Sequence, residues 1–371
     1  MPIKKKPELA EIANPIAITT KKSTEYSKIL QGCGTNAVLQ VDKKRMTVNN
    51  MSDTGKMTTT SGVEVTLSNI NTVNLNPVTQ RVYMIATRKL TQNFPHGKTA
   101  TAEQIRDLRA ITLDVKEYMD ICGISDRTTA REQLKNGIIS LYNTSLEWKE
   151  KRRYLNRPKG EKQAEINHRY RILDEIATEA GESPIKRGVA KIVFSYGLAE
   201  YLSQSGIINM PDNLYKINIK QHPYALSLGY KLFTHYGLNI RNPKNDHPGR
   251  IKISNLLKAI PGIPTFEEVR KSSSRSVERR IIEPIENDLD EFKRQKIILN
   301  YKYCDTKGKK IPIEQADNFS SNWENWYLEF EPANYPDMKE IQAKTQKRQI
   351  KARRSQPQKK KINKVNKKEN T

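Results

Sequence analysis

The chain has 371 residues, enough for two or three domains, and 65 lysines and arginines stand against 41 acidic side chains. The net charge of +24 favours a polyanionic partner, because clustered basic side chains release counterions from phosphate backbones. No apolar run approaches the roughly 18 residues of a membrane helix, and no signal peptide stands at the start. Three widely separated cysteines exclude a disulfide framework and suit a reducing compartment. We therefore expect a soluble, cytoplasmic protein without a membrane partner.

The charge is distributed unevenly along the chain. Residues 1–74 carry a net charge of +4, residues 75–209 carry +6, residues 210–338 carry +3 and residues 339–371 carry +11. The last segment has 13 basic and 2 acidic side chains and almost no large apolar ones. Because it cannot bury enough surface to offset its ordering entropy, we predict a disordered basic tail. It is either an arm that binds phosphates or a solvated tail that aids solubility.

The segment before the first strong helical pattern, residues 1–74, is rich in Asn, Ser, Thr and Gly over its second half. We predict a weakly ordered lead with one short strand over Val63–Leu67, where apolar and polar residues alternate. From Asn76 the pattern changes, since Pro77 suits a first helical position and apolar residues then follow at helical spacing.

Residues 75–209 have the element order of a winged helix. A helix over Val115–Cys122 ends at Gly123, and Ser125 or Asp126 caps a second helix. The predicted elements that follow are the strands Ser145–Lys149 and Arg171–Ala177 around a basic loop at 149–162, the strand Val189–Ser195 and the helix Tyr196–Gln204. The second helix has its apolar positions at Ala130, Leu134, Ile138 and Leu141.

Residues 210–338 repeat this order of elements. The predicted elements are the strand Tyr215–Ile219, helices over His222–Tyr236, Ile253–Ile260, Phe266–Lys271 and Ser274–Lys296, and the strands Leu299–Cys304 and Trp326–Phe330 around a Lys-rich loop. We therefore predict an α+β fold with two tandem winged-helix domains, 75–209 and 210–338, between the lead and the tail.

The sequence contains no recognisable catalytic, metal or cofactor site. The five histidines include no pair separated by one residue, the metal-binding pattern of rolling-circle nickases. Gly97-Lys98-Thr99 has the ending of a phosphate-binding loop, but Gln92 stands where that motif requires glycine. Carboxylates between Glu283 and Glu291 are spread around a helix and fit a solvated face better than a nuclease site. We expect a protein that is not an enzyme.

The helix predicted over Ser274–Lys296 has the layout of a DNA-recognition helix. Its apolar stripe is Val277, Ile281, Ile285, Leu289 and Phe292. Its basic residues lie in the first turns and its acidic residues follow, which lets the N-terminal part enter the major groove. The candidate DNA-binding residues here are Lys271, Ser274, Arg275, Ser276, Arg279 and Arg280. The alternative is an ordinary amphipathic helix with capping serines, and Pro284 inside the pattern predicts a kink or a shifted boundary.

The helix after Gly123 offers a parallel set of candidates, and two basic loops extend it. Its candidate DNA-binding residues are Ser125, Arg127, Thr128, Arg131 and Lys135, although the basic ones could equally pair with Asp126 and Glu132. The basic loops would be wing tips that contact phosphates without base specificity. Their candidate residues are Arg152 and Arg153 in the first loop and Lys307, Lys309 and Lys310 in the second.

Several stretches resemble winged-helix replication initiators of plasmids and phages. In the first unit they are DVKEYMDICGISDRTTAREQLKNGIISLYNTSLEWKE and GVAKIVFSYGLAEYLSQ. In the second unit they are HPYALSLGYKLFTHYGLN, RIKISNLLKAIPGIP and RSVERRIIEPIENDLDEFKRQKIILNYKYCD. The resemblance spans about 76–331 and implies binding of double-stranded DNA at repeated origin sites, recruitment of host replication proteins and possible homodimers. By position, it places Arg275, Ser276, Arg279 and Arg280 on the second recognition helix and Arg127, Thr128 and Arg131 on the first.

The leading hypothesis is therefore a non-enzymatic replication initiator that recognises specific duplex DNA. A transcription regulator with the same winged-helix scaffold is the first alternative. The second is an enzyme, such as a primase or a nuclease, whose site has no recognisable motif. Direct repeats beside the gene on a small replicon would favour the initiator, and metal-dependent cleavage or synthesis of DNA would reveal the enzyme.

Overall fold

The protein is represented by a computed structural model with mixed helices and sheets, as the sequence predicts. It describes residues 25–59, 62–70, 75–94, 100–152, 164–177, 188–242, 245–272, 276–311 and 322–335. The predicted basic tail lies outside these residues. No helix within the described ranges combines the length and the apolar character needed to cross a bilayer.

The described chain contains ten α-helices and thirteen strands. The α-helices are α1 (Cys33–Val38), α2 (Pro77–Asn93), α3 (Ala102–Leu108), α4 (Val115–Cys122), α5 (Arg127–Tyr142), α6 (Tyr196–Ser203), α7 (Ala225–Asn239), α8 (Ile253–Leu257), α9 (Phe266–Lys271) and α10 (Glu283–Arg294). The strands are β1 (Tyr26–Gln31), β2 (Thr47–Asn49), β3 (Thr54–Thr58), β4 (Val63–Ser68), β5 (Ala110–Asp114), β6 (Thr144–Arg152), β7 (Ala164–Arg171), β8 (Leu173–Ala177), β9 (Val189–Phe194), β10 (Gly206–Pro211), β11 (Arg250–Lys252), β12 (Ile298–Cys304) and β13 (Tyr327–Pro332).

The strands form four antiparallel sheets. A five-stranded sheet has the order β2-β3-β4-β6-β7, and β1 pairs with β10 in a two-stranded sheet. Two three-stranded sheets have the orders β5-β9-β8 and β11-β13-β12. In both three-stranded sheets, the middle strand is the one that comes last in the chain. Strand β9 lies between β5 and β8, and β13 lies between β11 and β12. Each sheet also has helices between its first and second strands in the chain, α4 and α5 in one and α8 to α10 in the other, so the two sheets share one strand order.

The prediction of a weakly ordered lead is wrong for the described part of residues 1–74. Residues 26–68 contain β1, α1 and β2 to β4, and the predicted strand over Val63–Leu67 is confirmed as β4. The order comes from distant partners, because β1 pairs with β10 and β4 pairs with β6. Such long-range pairing leaves little trace in a polar local sequence.

The hairpin predicted around the first basic loop has a different partner. Ser145–Lys149 lies in β6, as predicted, but β6 pairs with β7 and not with Arg171–Ala177. The chain leaves the five-stranded sheet at Ile172. Strand β8 then pairs with β9 in the three-stranded sheet β5-β9-β8. The first four residues of the predicted basic loop, 149–152, belong to β6, and residues 153–162 lie outside the described residues. Residues 178–187, between β8 and β9, lie outside the described residues as well.

Two other predicted elements are corrected in the second half. The predicted strand Tyr215–Ile219 is instead the end of a 3₁₀ turn, Asp212–Lys216, followed by irregular chain. Its alternating apolar residues are still buried, which explains why the sequence pattern resembled a strand. The helix predicted over Ser274–Lys296 begins at Val277 in the described residues. Its first part, Glu278–Ile282, is a π-helix, and α10 follows directly.

The cores beneath α5 and α10 consist of the predicted apolar positions. Each of the four on α5 is completely buried, and the five on the second helix are buried as well. Gly137 allows α2 and α5 to approach closely, because a Cβ there would lie 2.6 Å from Cγ2 of Val82. Burial on one face leaves the opposite face of each helix to solvent.

Candidate nucleic-acid interface

The first turn of α5 is held by a side-chain cap. The Asp126 carboxylate accepts hydrogen bonds from the backbone N–H groups of Thr128 at 3.2 Å and Thr129 at 2.8 Å. Hydrogen bonds from Thr129 hold the pKa of Asp126 below its ordinary value. The cap thus satisfies two of the backbone donors that a helix start leaves unpaired, and it fixes where the first turn of α5 begins.

The predicted residues on α5 face solvent at its N-terminal end. Ser125, Arg127 and Thr128 are exposed, whereas Arg131 and Lys135 are half-buried. Lys135 lies 3.9 Å from Glu132, so the predicted alternative of pairing within the helix holds for this residue. Among the described residues, no carboxylate lies within ion-pair distance of Arg127 or Arg131.

The start of β9 lies beside the same helix end. The Gly188 carbonyl accepts a hydrogen bond from the Val115 backbone N–H at 2.8 Å, and a Cβ at Gly188 would lie 3.4 Å from Arg127 Nη2. Gly188, the residue before β9, therefore lies directly beside the exposed turn of α5.

A buried polar network that sequence reasoning missed supports α5 from below. Arg81 is 3% exposed and donates from Nη1 to the Tyr215 carbonyl at 3.0 Å and from Nη2 to Gln133 Oε1 at 3.4 Å. Gln133 also accepts from the Tyr118 hydroxyl at 3.1 Å. The network joins α2, α4 and α5 to the chain that enters the second half. Its only signal in the sequence is an arginine on a face of α2 that is otherwise buried.

The second candidate helix presents fewer free cations than the sequence suggested. Arg279 is exposed, and its backbone N–H donates to Ser276 Oγ at 3.3 Å. Arg280 is half-buried and donates to Ser272 Oγ at 2.7 Å. Lys271 is exposed but forms an ion pair with Glu267 at 2.6 Å. Ser274 and Arg275 lie outside the described residues, so their predicted role is untested.

Pro284 changes the helical hydrogen bonding above this end. The Glu283 N–H donates to the Glu278 carbonyl five residues earlier, where a regular α-helix would use a carbonyl four residues earlier. Because proline has no N–H and crowds the preceding turn, the wider π turn accommodates it without ending the helix. Pro284 therefore produces a short π-helical segment and not a break in the helix. Arg279 and Arg280 lie within that segment.

The second hairpin carries three exposed lysines on a tight turn. Lys307, Lys309 and Lys310 follow β12, and Asp305 accepts the backbone N–H groups of Lys307 at 2.8 Å and Lys309 at 2.9 Å. These hydrogen bonds hold the pKa of Asp305 below its ordinary value. The three ammonium groups stand on a fixed turn. In the first hairpin, Arg152 ends β6, and Arg153 lies outside the described residues.

A buried acid lies beneath the second candidate helix. Asp288 on α10 is 2% exposed, and its Oδ1 lies 2.9 Å from Nδ1 of His222, in the chain before α7. Burial raises the pKa of Asp288 to about 6, and the hydrogen bond to His222 only partly offsets this effect. The pair therefore ties α10 to the segment before α7 in a way that depends on pH.

We expect Asp288 to make the protein less stable as pH rises from about 4 to about 6. The folded state retains this proton to higher pH than the unfolded state, whose carboxyl group has an ordinary pKa, so stability falls as the proton is lost. The free energy of unfolding of the wild type, minus that of Asp288→Asn, should fall by about 1–3 kcal/mol over this range. Urea unfolding at several pH values measures it.

The exposed Asp290 on the same helix provides the control variant. Asp290→Asn removes one charge from α10 without removing the buried carboxylate, so it separates the effect of burial from that of net charge. A difference between wild type and Asp288→Asn that stays constant with pH would contradict the assignment of Asp288.

Comparison with known proteins identifies the middle of the chain. Residues 58–206 match the family described as "Initiator Replication protein, WH1". No curated protein matches the chain. Among solved structures, domains 2 and 3 of RctB are 13% identical and cover 81% of this chain and 99% of theirs, with a TM-score of 0.40. A second RctB structure of the same domains has a TM-score of 0.38 at 13% identity, covering 81% of this chain and 97% of its own.

A third solved structure is the WH1 domain of MSBI1.176, a replication protein isolated from a multiple sclerosis patient. It is 20% identical, covers 35% of this chain and 82% of its own, and has a TM-score of 0.24. The match of residues 58–206 includes α2, the pair α4 and α5, and the strands β8 and β9. The resemblance predicted from the sequence is confirmed: the chain resembles winged-helix replication initiator proteins, and its residues 58–206 match their WH1 domain.

Proposed function

We propose that this protein is a replication initiator that binds duplex DNA sequence-specifically at repeated sites in its origin. The observation that carries the proposal is the exposed N-terminal turn of α5, with Arg127 and Thr128 facing solvent inside a segment that matches the initiator WH1 domain. A helix start of this kind enters the major groove, where arginine reads guanine through two hydrogen bonds. The capping carboxylate of Asp126 and the Arg81 network below it hold this turn in place.

The proposal extends to a second winged helix over residues 210–338. The sheet β11-β13-β12 has the same first–third–second order as the sheet β5-β9-β8, and Arg279 lies exposed near the start of the helix before β12. Two such units in tandem would contact two successive stretches of major groove. The lysines of the second hairpin and the tail 339–371 would add contacts to phosphates that do not depend on sequence.

Further parts of the proposal concern partners. We infer that the bound initiator recruits host replication proteins and acts without a catalytic step of its own, and that copies of the chain can form a homodimer. The polar, basic surfaces of the two helix starts support DNA as the first partner. A winged-helix transcription regulator would share the DNA contacts but would not start replication.

A replication assay separates these two functions. The gene and the DNA on both sides of it are placed on a selectable plasmid that lacks any other origin. An initiator is expected to maintain this plasmid, and a frameshift early in the gene should abolish maintenance. Specific binding to the flanking DNA without plasmid maintenance in a host of the original element would instead favour the regulator.

A further inference from the structure

A cleft of about 300 Å³ lies between α1 and α7, away from the candidate DNA-binding turns. One wall is formed by α1 and the residues after it, including Asn36, Leu39 and Gln40. The other wall is one face of α7, where Lys231, Thr234 and Leu238 follow one another at helical spacing. The cleft thus lies between parts of the first and second halves of the chain.

The floor of the cleft is fixed by hydrogen bonds. Ser227 Oγ lies 2.9 Å from the Leu39 carbonyl oxygen and 3.2 Å from Gln80 Oε1. Gln80 Nε2 donates to the same carbonyl at 3.4 Å, and both Ser227 and Gln80 are buried. Three elements, α2, α7 and the chain after α1, therefore meet at the floor. A ligand would enter a site that is already formed.

Two polar side chains in the α7 wall, Lys231 and Thr234, have no acidic group beside them among the residues that line the cleft. Lys231 is half-buried, burial lowers the pKa of its ammonium group, and the residues that line the cleft include no carboxylate. Thr234 is 8% exposed, and its Oγ1 has no hydrogen-bond partner among the described residues. A half-buried cation without a counter-ion and a buried hydroxyl without a hydrogen-bond partner, both among the described residues, cost free energy. An anion that accepts hydrogen bonds would relieve both costs at once.

The remaining lining residues indicate what kind of chemical group would be attached to the anion in such a ligand. Leu39, Leu238 and Ala259 add apolar surface, and the amides of Asn36 and Gln40 add donors and acceptors. The volume is at the lower end for small-molecule sites and too large for a bare phosphate ion alone. These features together fit a phosphate group joined to a partly apolar body of about mononucleotide size.

We propose that this cleft binds a small phosphorylated molecule, with Lys231 and Thr234 contacting the phosphate and the Leu39–Leu238 side contacting the attached group. The site is independent of the proposed DNA binding, because none of its lining residues lies on the exposed turns of α5 or of the helix before β12. Occupation would join α1 to α7 and stabilise the folded chain by mass action.

Calorimetric titration and thermal unfolding of the full chain test this site. The probes are adenosine monophosphate, adenosine and inorganic phosphate. Adenosine monophosphate is expected to bind and to raise the unfolding temperature, and adenosine, which lacks the phosphate, is expected to bind at least tenfold more weakly. Binding of inorganic phosphate alone, if lost in Lys231→Met, would support the same site with free phosphate as its ligand.

The variants make the outcome specific to the cleft. Lys231→Met should weaken binding at least tenfold and Thr234→Val severalfold, whereas Lys220→Met removes an exposed charge outside the cleft and should leave binding unchanged. Unliganded Lys231→Met should unfold at the same temperature as the wild type or higher, because a half-buried charge is removed. Absence of binding by every probe, or equal binding by wild type and Lys231→Met, would overturn the proposal.

Discussion

The double variant Arg127→Ala with Arg279→Ala is expected to lose most of its preference for the origin sequence. Both guanidinium groups are exposed near the starts of helices and lie outside the buried stripes. Each arginine that reads a guanine contributes about 1–3 kcal/mol of discrimination, so the ratio of specific to non-specific affinity should fall by about 30-fold to 10⁴-fold. Competition binding at one fixed salt concentration measures this ratio.

The matched control removes two cations that should not read bases. Lys307→Ala with Lys309→Ala changes two exposed lysines on the second hairpin, and it should weaken binding to all sequences alike while leaving the ratio unchanged. Neither variant alters a buried group, so both should unfold at the wild-type temperature. A double arginine variant that keeps the wild-type ratio would show that these helix starts do not read the sequence.

Replacing Gly249 by alanine is expected to destabilise the protein by about 3 kcal/mol or more. A Cβ at this position would overlap the backbone carbonyl oxygen of Phe330 in β13, and that oxygen belongs to a paired strand that cannot easily move aside. The Phe330 N–H also donates to the Gly249 carbonyl at 3.3 Å, so separating the two strands breaks their pairing. Urea unfolding measures the free energy lost.

Gly237 on α7 provides the comparison. A Cβ there would make only ordinary contact with the Tyr335 hydroxyl at 3.4 Å, and alanine is favoured over glycine inside helices by about 1 kcal/mol. Gly237→Ala should therefore be neutral or slightly stabilising. Equal stability of both alanine variants would contradict the close approach of Gly249 to β13, and with it the position of β11 in the second three-stranded sheet.

The helices α2, α4 and α5 were predictable from local signals, whereas α1 and α3 were not predicted. Pro77 at the start of α2, Gly123 after α4 and the spacing of Leu134 and Ile138 on α5 are local signals, and all of them proved correct. The apolar stripe of the second candidate helix was equally clear. These signals come from propensity and periodicity over a few turns, and they do not depend on what lies far away in the chain.

The sheets were predicted less well because their strands find partners across long stretches of chain. The strands of residues 26–58 are short and polar, and the partner of β1 lies about 180 residues away. The strand pairing of the first hairpin was predicted wrongly because the chain passes directly from β7 to β8 at Ile172, between two sheets. No turn residue marks that change. Ser125, Arg127 and Thr128 nevertheless lie at an exposed helix start, since capping and amphipathicity are local, and their binding of DNA stays a prediction.

The network around Arg81 could not be predicted, because its partners come from three separate segments. Nothing in the sequence relates Arg81 to Gln133 or to the carbonyl of Tyr215. The cleft beside Lys231 is similar, since α1 and α7 are far apart in the chain. Sites of this kind become visible only when the fold brings distant polar groups into a buried space.

Footprinting on the DNA that flanks the gene, at two salt concentrations, tests the central claim most directly. The non-specific share of binding decreases steeply with salt, whereas contacts to base edges preserve discrimination. Specific initiation predicts discrete protected blocks, repeated along the flanking DNA, which persist at the higher salt concentration. Uniform protection that disappears everywhere between the two salt concentrations would contradict sequence-specific binding by this protein.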